Sequence, residues 1–171
     1  MSRLFSTATA LGLLALTSCA DSPTAPIATD APSALTVAET SFLSCPSLTA
    51  SSVTGTIGLL GGALNVEGHR FALPPLAVLR PTTFTLTAPA SDHVELEIHA
   101  QGHDSFNFLL PARISISYDR CDHEVDPTSL TVWHIDSLTG LLLEHMGGLA
   151  DQNARAVHFS SGHLSGFIIA N

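Results

Sequence analysis

The feature that most constrains this chain is a strict alternation between Asp92 and Gln101. Val94, Leu96 and Ile98 fall on one side, and His93, Glu95, Glu97 and His99 fall on the other. That is the period-two pattern of a strand with one face buried and one face wet. A slip of one residue would turn every apolar side chain to solvent, so the segment has one usable register. The pattern recurs upstream, where Phe84 and Leu86 alternate with Thr83, Thr85 and Thr87. It recurs again downstream, where Ala112, Ile114 and Ile116 alternate with Arg113, Ser115 and Ser117 before Tyr118. Leu130, Val132 and His134 oppose Thr131, Trp133 and Ile135 in a more apolar strand, expected to be buried on both faces.

Breakers separate these runs. The pair Gly61–Gly62 turns the chain, and Leu64 to Leu73 alternates around a second turn at Glu67–Gly68. Pro74 and Pro75 then stop the strand. Asp136 to Gly140 is a hairpin connection that returns the chain as Leu141 to His145. Gly147 and Gly148 break that strand, Asp151 to Asn153 is a polar loop, and strands at Arg155–Phe159 and Leu164–Ala170 follow. A further strand is expected at Val53–Leu59. No window beyond the N-terminal region carries a sustained 3.6-residue period. The prediction is an all-β fold, an antiparallel β-sandwich of about 8–10 short strands or the related barrel, and not a βαβ architecture.

The N-terminal region reads differently. Met1, Ser2 and Arg3 precede an apolar run from Leu4 to Leu16, the n- and h-regions of an export signal, too short for a comfortable membrane span. Leu16, Thr17 and Ser18 before Cys19 resemble the lipobox of bacterial lipoproteins. Residues 1–18 are therefore expected to be removed, leaving Cys19 as an N-terminus that carries diacylglycerol and palmitate and holds the protein to a membrane. Ala20 follows the cysteine, with Asp21 one place later. By resemblance to lipoprotein sorting, this favours the bacterial outer membrane or cell surface. Residues 19–41, rich in Pro, Ala, Ser and Thr, form a tether, and residues 42–171 have the size of one domain.

The chain carries a net charge of −9 and no lysine. Such a balance argues against nucleic acid or an anionic lipid surface as partner. With Cys19 acylated, Cys45 and Cys121 remain, and in an exported chain an even pair reads as a disulfide. Closing so long a loop would stabilise the fold by about 4 kcal/mol in the chain-entropy model.

The order of the pieces resembles a known family. Gly61–Gly62, a strand, the corner Pro74-Pro75-Leu76-Ala77-Val78, a threonine-rich strand and Phe108 to Pro111 come first. Asp126-Pro127 to Leu130, Trp133, Asp136 to Gly140 and His158-Phe159-Ser160 follow. The series is similar to the ZU-type β-sandwich of tight-junction scaffold proteins, netrin receptors and ankyrins, and to bacterial lipoproteins that carry such a domain. The likeness covers residues 53 to 170. Leu76 stands where the family has glycine, which disfavours the tight turn, and Leu141, Leu142 and Leu143 stand where it commonly has tryptophan. The resemblance implies a module for protein interaction or structural support, not an enzyme, whose partner is an envelope protein not identifiable from the residues. An exposed sheet edge or apolar patch on the side away from residue 42 is the expected contact surface.

Three sets of residues carry alternative chemistry. In some animal relatives the backbone breaks within a motif like His158-Phe159-Ser160. By that resemblance, the Ser160 hydroxyl would attack the Phe159 carbonyl with His158 as base. The structural alternative puts Phe159 in the core and His158 and Ser160 at its edge. His93, Glu95, Glu97 and His99 share one strand face at spacings of about 7 Å. They would hold zinc only if another strand supplied a ligand such as His69, His103 or His163. The same face would otherwise serve a metal- or glycan-binding module or simply be solvated. Asp122, Glu124 and Asp126, beside Cys121 and His123, offer carboxylates to calcium but too few oxygens. Arg120 is expected to pair with nearby acids at the surface. No GxSxG, HExxH or phosphate-loop motif is present, so no cofactor is expected beyond the lipid.

Overall fold

Alternation in the sequence becomes burial in the structure. The computed structural model describes residues 41–121, 124–137 and 139–171. The export signal, Cys19 and the tether up to residue 40 lie outside the described residues, as do Asp122 and His123. Eleven strands form: β1 (Ser51–Ile57), β2 (Gly62–Val66), β3 (His69–Leu73), β4 (Thr82–Ala88), β5 (Glu95–Ala100), β6 (Asn107–Ser117), β7 (Thr131–Ile135), β8 (Leu142–Gly147), β9 (Leu149–Asp151), β10 (Ala156–His163) and β11 (Gly166–Ala170). They build a six-stranded sheet in the order β1-β4-β5-β11-β7-β8 and a five-stranded sheet in the order β2-β3-β6-β10-β9. Pairing is antiparallel throughout these ladders, and the two sheets pack as a β-sandwich.

Inward side chains from both sheets make the core. Phe84, Leu86, Leu96, Ile98, Phe167 and Ile169 come from the six-stranded sheet, and Phe71, Ile114, Ile116 and Phe159 come from the other. Phe71 meets Phe84 edge-on with ring centroids 5.5 Å apart, and Phe159 meets Phe167 at 5.0 Å. Such pairs add about 0.5–1.5 kcal/mol beyond the area they bury. Outside, Thr54 and Thr56 of β1 pair their hydroxyls with those of Thr85 and Thr83 of β4, at 2.9 Å each.

The Pro-Pro corner makes a tight turn with leucine, not glycine, at its third position. Leu76 adopts φ 68°, and the turn closes with the Ala77 N–H donating to the Pro74 carbonyl at 3.2 Å. A positive φ at the third residue after proline at the second is the type II arrangement, and for leucine it costs about 1–3 kcal/mol. The Leu76 N–H also donates to the Leu59 carbonyl at 2.9 Å, docking the corner on the β1–β2 turn. Gly61 makes that docking possible. A Cβ there would lie 2.4 Å from the Leu73 carbonyl oxygen, and its φ is 74°.

At the other end of the sandwich the N-terminal segment is clamped. Phe42 bridges Ala170, Ser44 bridges His93, and Cys45 is disulfide-bonded to Cys121 with Cα atoms 4.6 Å apart. Among the described residues Arg120 forms no close ion pair with the surface acids its neighbours suggested. Its guanidinium donates to the carbonyls of Pro46, Ser91 and His93, tying the N-terminal segment to the β4–β5 loop.

Other expectations change in detail. The strand at β1 runs from Ser51 to Ile57, two residues earlier than expected, because Leu59 and Leu60 form the turn to β2. The loop expected around Asp151 begins with a short edge strand, β9, that pairs with β10. β10 does not end at Phe159 but continues to His163, with a bulge between Ser161 and His163. Pro111 sits opposite that bulge, where a missing N–H is tolerated. Gly162 lies within the bulge and does not form the bend into β11. Strand β7 is not buried on both faces: Trp133 and His134 stay half-buried because β8 is an edge strand with two register shifts against it.

His69, considered above as a metal ligand, is instead a core histidine. It is buried, and its Nδ1 accepts the Ser117 N–H at 3.0 Å, extending the β3–β6 ladder through a side chain. Burial, and secondarily the Arg120 charge, lower its pKa to about 4. The unfolded chain binds this proton near pH 6.5 and the folded protein does not, so the stabilisation present above pH 6.5 is lost as pH falls toward 4. The loss amounts to about 3 kcal/mol. Urea unfolding measured across that interval should show this fall in the native chain and a slope smaller by about one proton in His69→Gln.

Candidate functional site

The register of the five-stranded sheet decides which polar residues share its outer face. Arg70 of β3 lies opposite Ser115 of β6, Ser115 opposite His158 of β10, and His158 opposite Leu149 of β9. One step along, Ala72 lies opposite Arg113 and Arg113 opposite Ser160. Directly opposed residues in an antiparallel ladder point the same way, so both rows face outward. With Met146 and Gly148 they line an open groove of about 870 Å³.

The groove inverts the charge of the molecule. Arg70 and Arg113 lie diagonally across neighbouring strands, and no Asp or Glu lines the groove among the described residues. The Arg70 guanidinium donates to Asn65 Oδ1 at 3.1 Å. Asp151, near enough to His158 to feel its charge, accepts the N–H groups of Asn153 and Ala154, which hold its carboxyl below the usual range. Two guanidinium groups beside apolar Met146 and Leu149 suit a carboxylate-bearing surface with an apolar part.

Along β6 the same face runs into an apolar end. Leu109, Leu110 and Pro111 are exposed at the start of the strand. The Leu109 N–H donates to the Ala77 carbonyl at 3.0 Å, which brings Leu109 to the Pro-Pro corner. Leu76 and Leu79 of that corner are exposed, as are Leu59 and Leu60 of the β1–β2 turn docked on it. Leu60 is 88% exposed. This end is opposite the Cys45 clamp, because β1 starts at Ser51 beside Ala88, on the side where β11 ends against Phe42, and finishes at the leucine turn. Six exposed leucines in two neighbouring turns and the adjoining start of β6 exceed the scattered apolar residues of an ordinary surface.

Of the residues singled out in the sequence, His158 and Ser160 are brought to the groove, and Phe159 points inward against Phe167. The Phe159–Ser160 peptide lies in the regular β10–β6 ladder, Phe159 opposite Ile114 and Ser160 opposite Arg113. The non-glycine residues with left-handed backbone are Glu67, Leu76 and Arg155 among those described, so φ gives no sign of strain at this bond.

His93, Glu95, Glu97 and His99 follow one another into and along the outer face of β5, an interior strand, without converging on a point. His93 pairs with Asp92 at 3.6 Å, His99 pairs with Glu97 at 3.8 Å, and Glu95 accepts the Ser91 hydroxyl. In the acidic turn Asp126 caps a single 3-10 turn at Pro127–Ser129. Its carboxylate accepts from the N–H and the hydroxyl of Thr128, which lower its pKa. Glu124 is exposed. Gly61, Gly62, Pro74 and Pro75 are corner residues, and the Trp133 ring lies 4.8 Å from that of His145 on β8.

A different cluster was missed. His134 of β7, Glu144 of β8 and His163 of β10 bring their ligand atoms within 4.8 Å of one another. The residues are distant in sequence, and only the sheet register could have joined them. Burial, and then the neighbouring His163 charge, hold the His134 pKa below its usual value.

A scan against protein-family models finds no match to this chain, and a search of the curated proteins finds none. Because the Phe159–Ser160 peptide lies in the regular β10–β6 ladder, purified full chain, measured by mass spectrometry under denaturing conditions, should be one polypeptide across that bond. A pair of fragments divided at that bond, and lost in Ser160→Ala, would be the contrary result.

Proposed function

We propose that this protein is a non-enzymatic binding module of the bacterial envelope, tethered through lipid on Cys19. In this reading its contact surface is the leucine end together with the outer face of the five-stranded sheet. The partner is an envelope protein presenting an apolar patch flanked by carboxylates. The observation that carries the reading is the grouping of Leu59, Leu60, Leu76, Leu79, Leu109 and Leu110 at one end of the sandwich. Burying a leucine side chain contributes about 1.5–3 kcal/mol, so a few of these residues suffice to anchor an interface.

Four features support it. The leucine end lies away from the point where the chain enters at Ser41, so a tether would present it outward. The adjoining groove concentrates Arg70 and Arg113 in a chain of net charge −9, which favours an acidic partner and speeds encounter with it. The ordered motifs from Gly61–Gly62 to His158-Phe159-Ser160 resemble the ZU-type domain, whose members serve assembly. A lipobox at Leu16 to Cys19 and a Pro- and Ser-rich segment fit an exported protein held at the outer membrane.

Photo-crosslinking in intact cells tests the reading. A crosslinker at Leu60 or Leu109 should give a discrete adduct that is absent when it is placed at Thr54, exposed on the outer face of the other sheet. Leu79→Asp should reduce that adduct at least tenfold while leaving the melting temperature within about 2 °C, since the side chain is exposed. Equal labelling from Thr54 and Leu60 would overturn the assignment.

A further inference from the structure

Along one margin the two sheets of the sandwich approach each other through polar side chains, not apolar ones. His134 lies opposite Phe167 on one side and Glu144 on the other, so it shares the inward side of the six-stranded sheet, one strand in from the edge strand β8. His163 ends β10 in the five-stranded sheet, just past the bulge that redirects the strand. The Ser161 hydroxyl holds that turn, accepting the His163 N–H at 3.2 Å and donating to the His163 carbonyl at 2.8 Å. One carboxylate oxygen, Glu144 Oε2, then faces two imidazole nitrogens, His134 Nδ1 at 3.9 Å and His163 Nε2 at 4.0 Å. The two rings are 5.0 Å apart between centroids.

We propose that His134, Glu144 and His163 form a binding site for a divalent cation of the zinc type, linking the two sheets. Two imidazoles and one carboxylate are a donor set that zinc takes with a fourth position left for water or an outside ligand. Nitrogen donors make calcium and magnesium poor occupants. In a tetrahedral site with bonds of about 2.0–2.1 Å, ligand atoms sit about 3.3 Å apart. The three atoms therefore need to close by less than about 1.5 Å. The half-exposed Glu144 side chain and the sheet margin can supply that movement, while the His163 backbone is already fixed. Two of the ligands come from one sheet and one from the other, so the bound ion ties the sheets at a margin that the disulfide does not reach. This site stands independently of the contact surface proposed above.

Calorimetric titration of zinc chloride into metal-free full chain tests the site, with thermal melting beside it. The expected result is one zinc per chain and a melting temperature several degrees higher when zinc exceeds Kd about a hundredfold. Glu144→Gln, at an exposed position, and His163→Asn should each weaken binding at least tenfold, while His93→Ala and His99→Ala leave it unchanged. Cobalt should give a visible absorption band in the native chain that is lost in Glu144→Gln, a readout that does not depend on the variant's stability. No zinc uptake by the native chain would overturn the proposal. So would binding that persists equally in Glu144→Gln and His163→Asn, or that is lost in His93→Ala.

Discussion

Contact between the two sheets is the constraint from which the rest follows. Phe71 against Phe84 and Phe159 against Phe167 fix which side of each strand is inside. Once Phe159 is in the core, His158 and Ser160 have no choice but to face outward, and the register with β6 and β3 then lines them up with Arg113, Ser115 and Arg70. The groove is thus a by-product of core packing, and the same residues that look reactive in a linear motif become parts of a surface. Cysteine and arginine chemistry closes one end of this arrangement. Cys45–Cys121 holds the entering segment, and Arg120 donates to three carbonyls of that segment and the β4–β5 loop.

Much of this architecture was legible in the sequence wherever a strand has one wet face. The alternation of β4, β5 and the second half of β6 maps directly onto burial, because period two is a geometric property of the extended chain. Legibility fails where context overrides the local pattern. Leu76 occupies a left-handed turn position because Pro74 and Pro75 and the close approach of Gly61 leave no other path. β9 is too short to read as a strand, and it pairs along the free edge of β10. Trp133 reads as core, yet the irregular pairing with β8 leaves it half-buried.

The candidate sites divide along the same line. His158 and Ser160 could be named from a contiguous motif, although the side they face came from the register. The leucine end combines turns at 59–60 and 76–79 with the start of β6 at 109–110, and each leucine looks like any other until these segments are seen to meet. His134, Glu144 and His163 come from two sheets, so no spacing along the chain announces them. The metal reading of His93, Glu95, Glu97 and His99 relied on a shared strand face, but neighbours on such a face stand about 7 Å apart and meet only if another strand intervenes. Arg120 looked like one charge among acids, and only the folded loops show the carbonyls it serves.

The central claim is that His158-Phe159-Ser160 serves shape, with Phe159 as an inter-sheet anchor and Ser160 as a surface residue. Equilibrium urea unfolding of Phe159→Ala and Ser160→Ala tests it most directly. The account predicts a loss of about 3–5 kcal/mol for Phe159→Ala and a change within about 0.5 kcal/mol for Ser160→Ala. Equal losses in the two variants, or a larger one for Ser160→Ala, would contradict it.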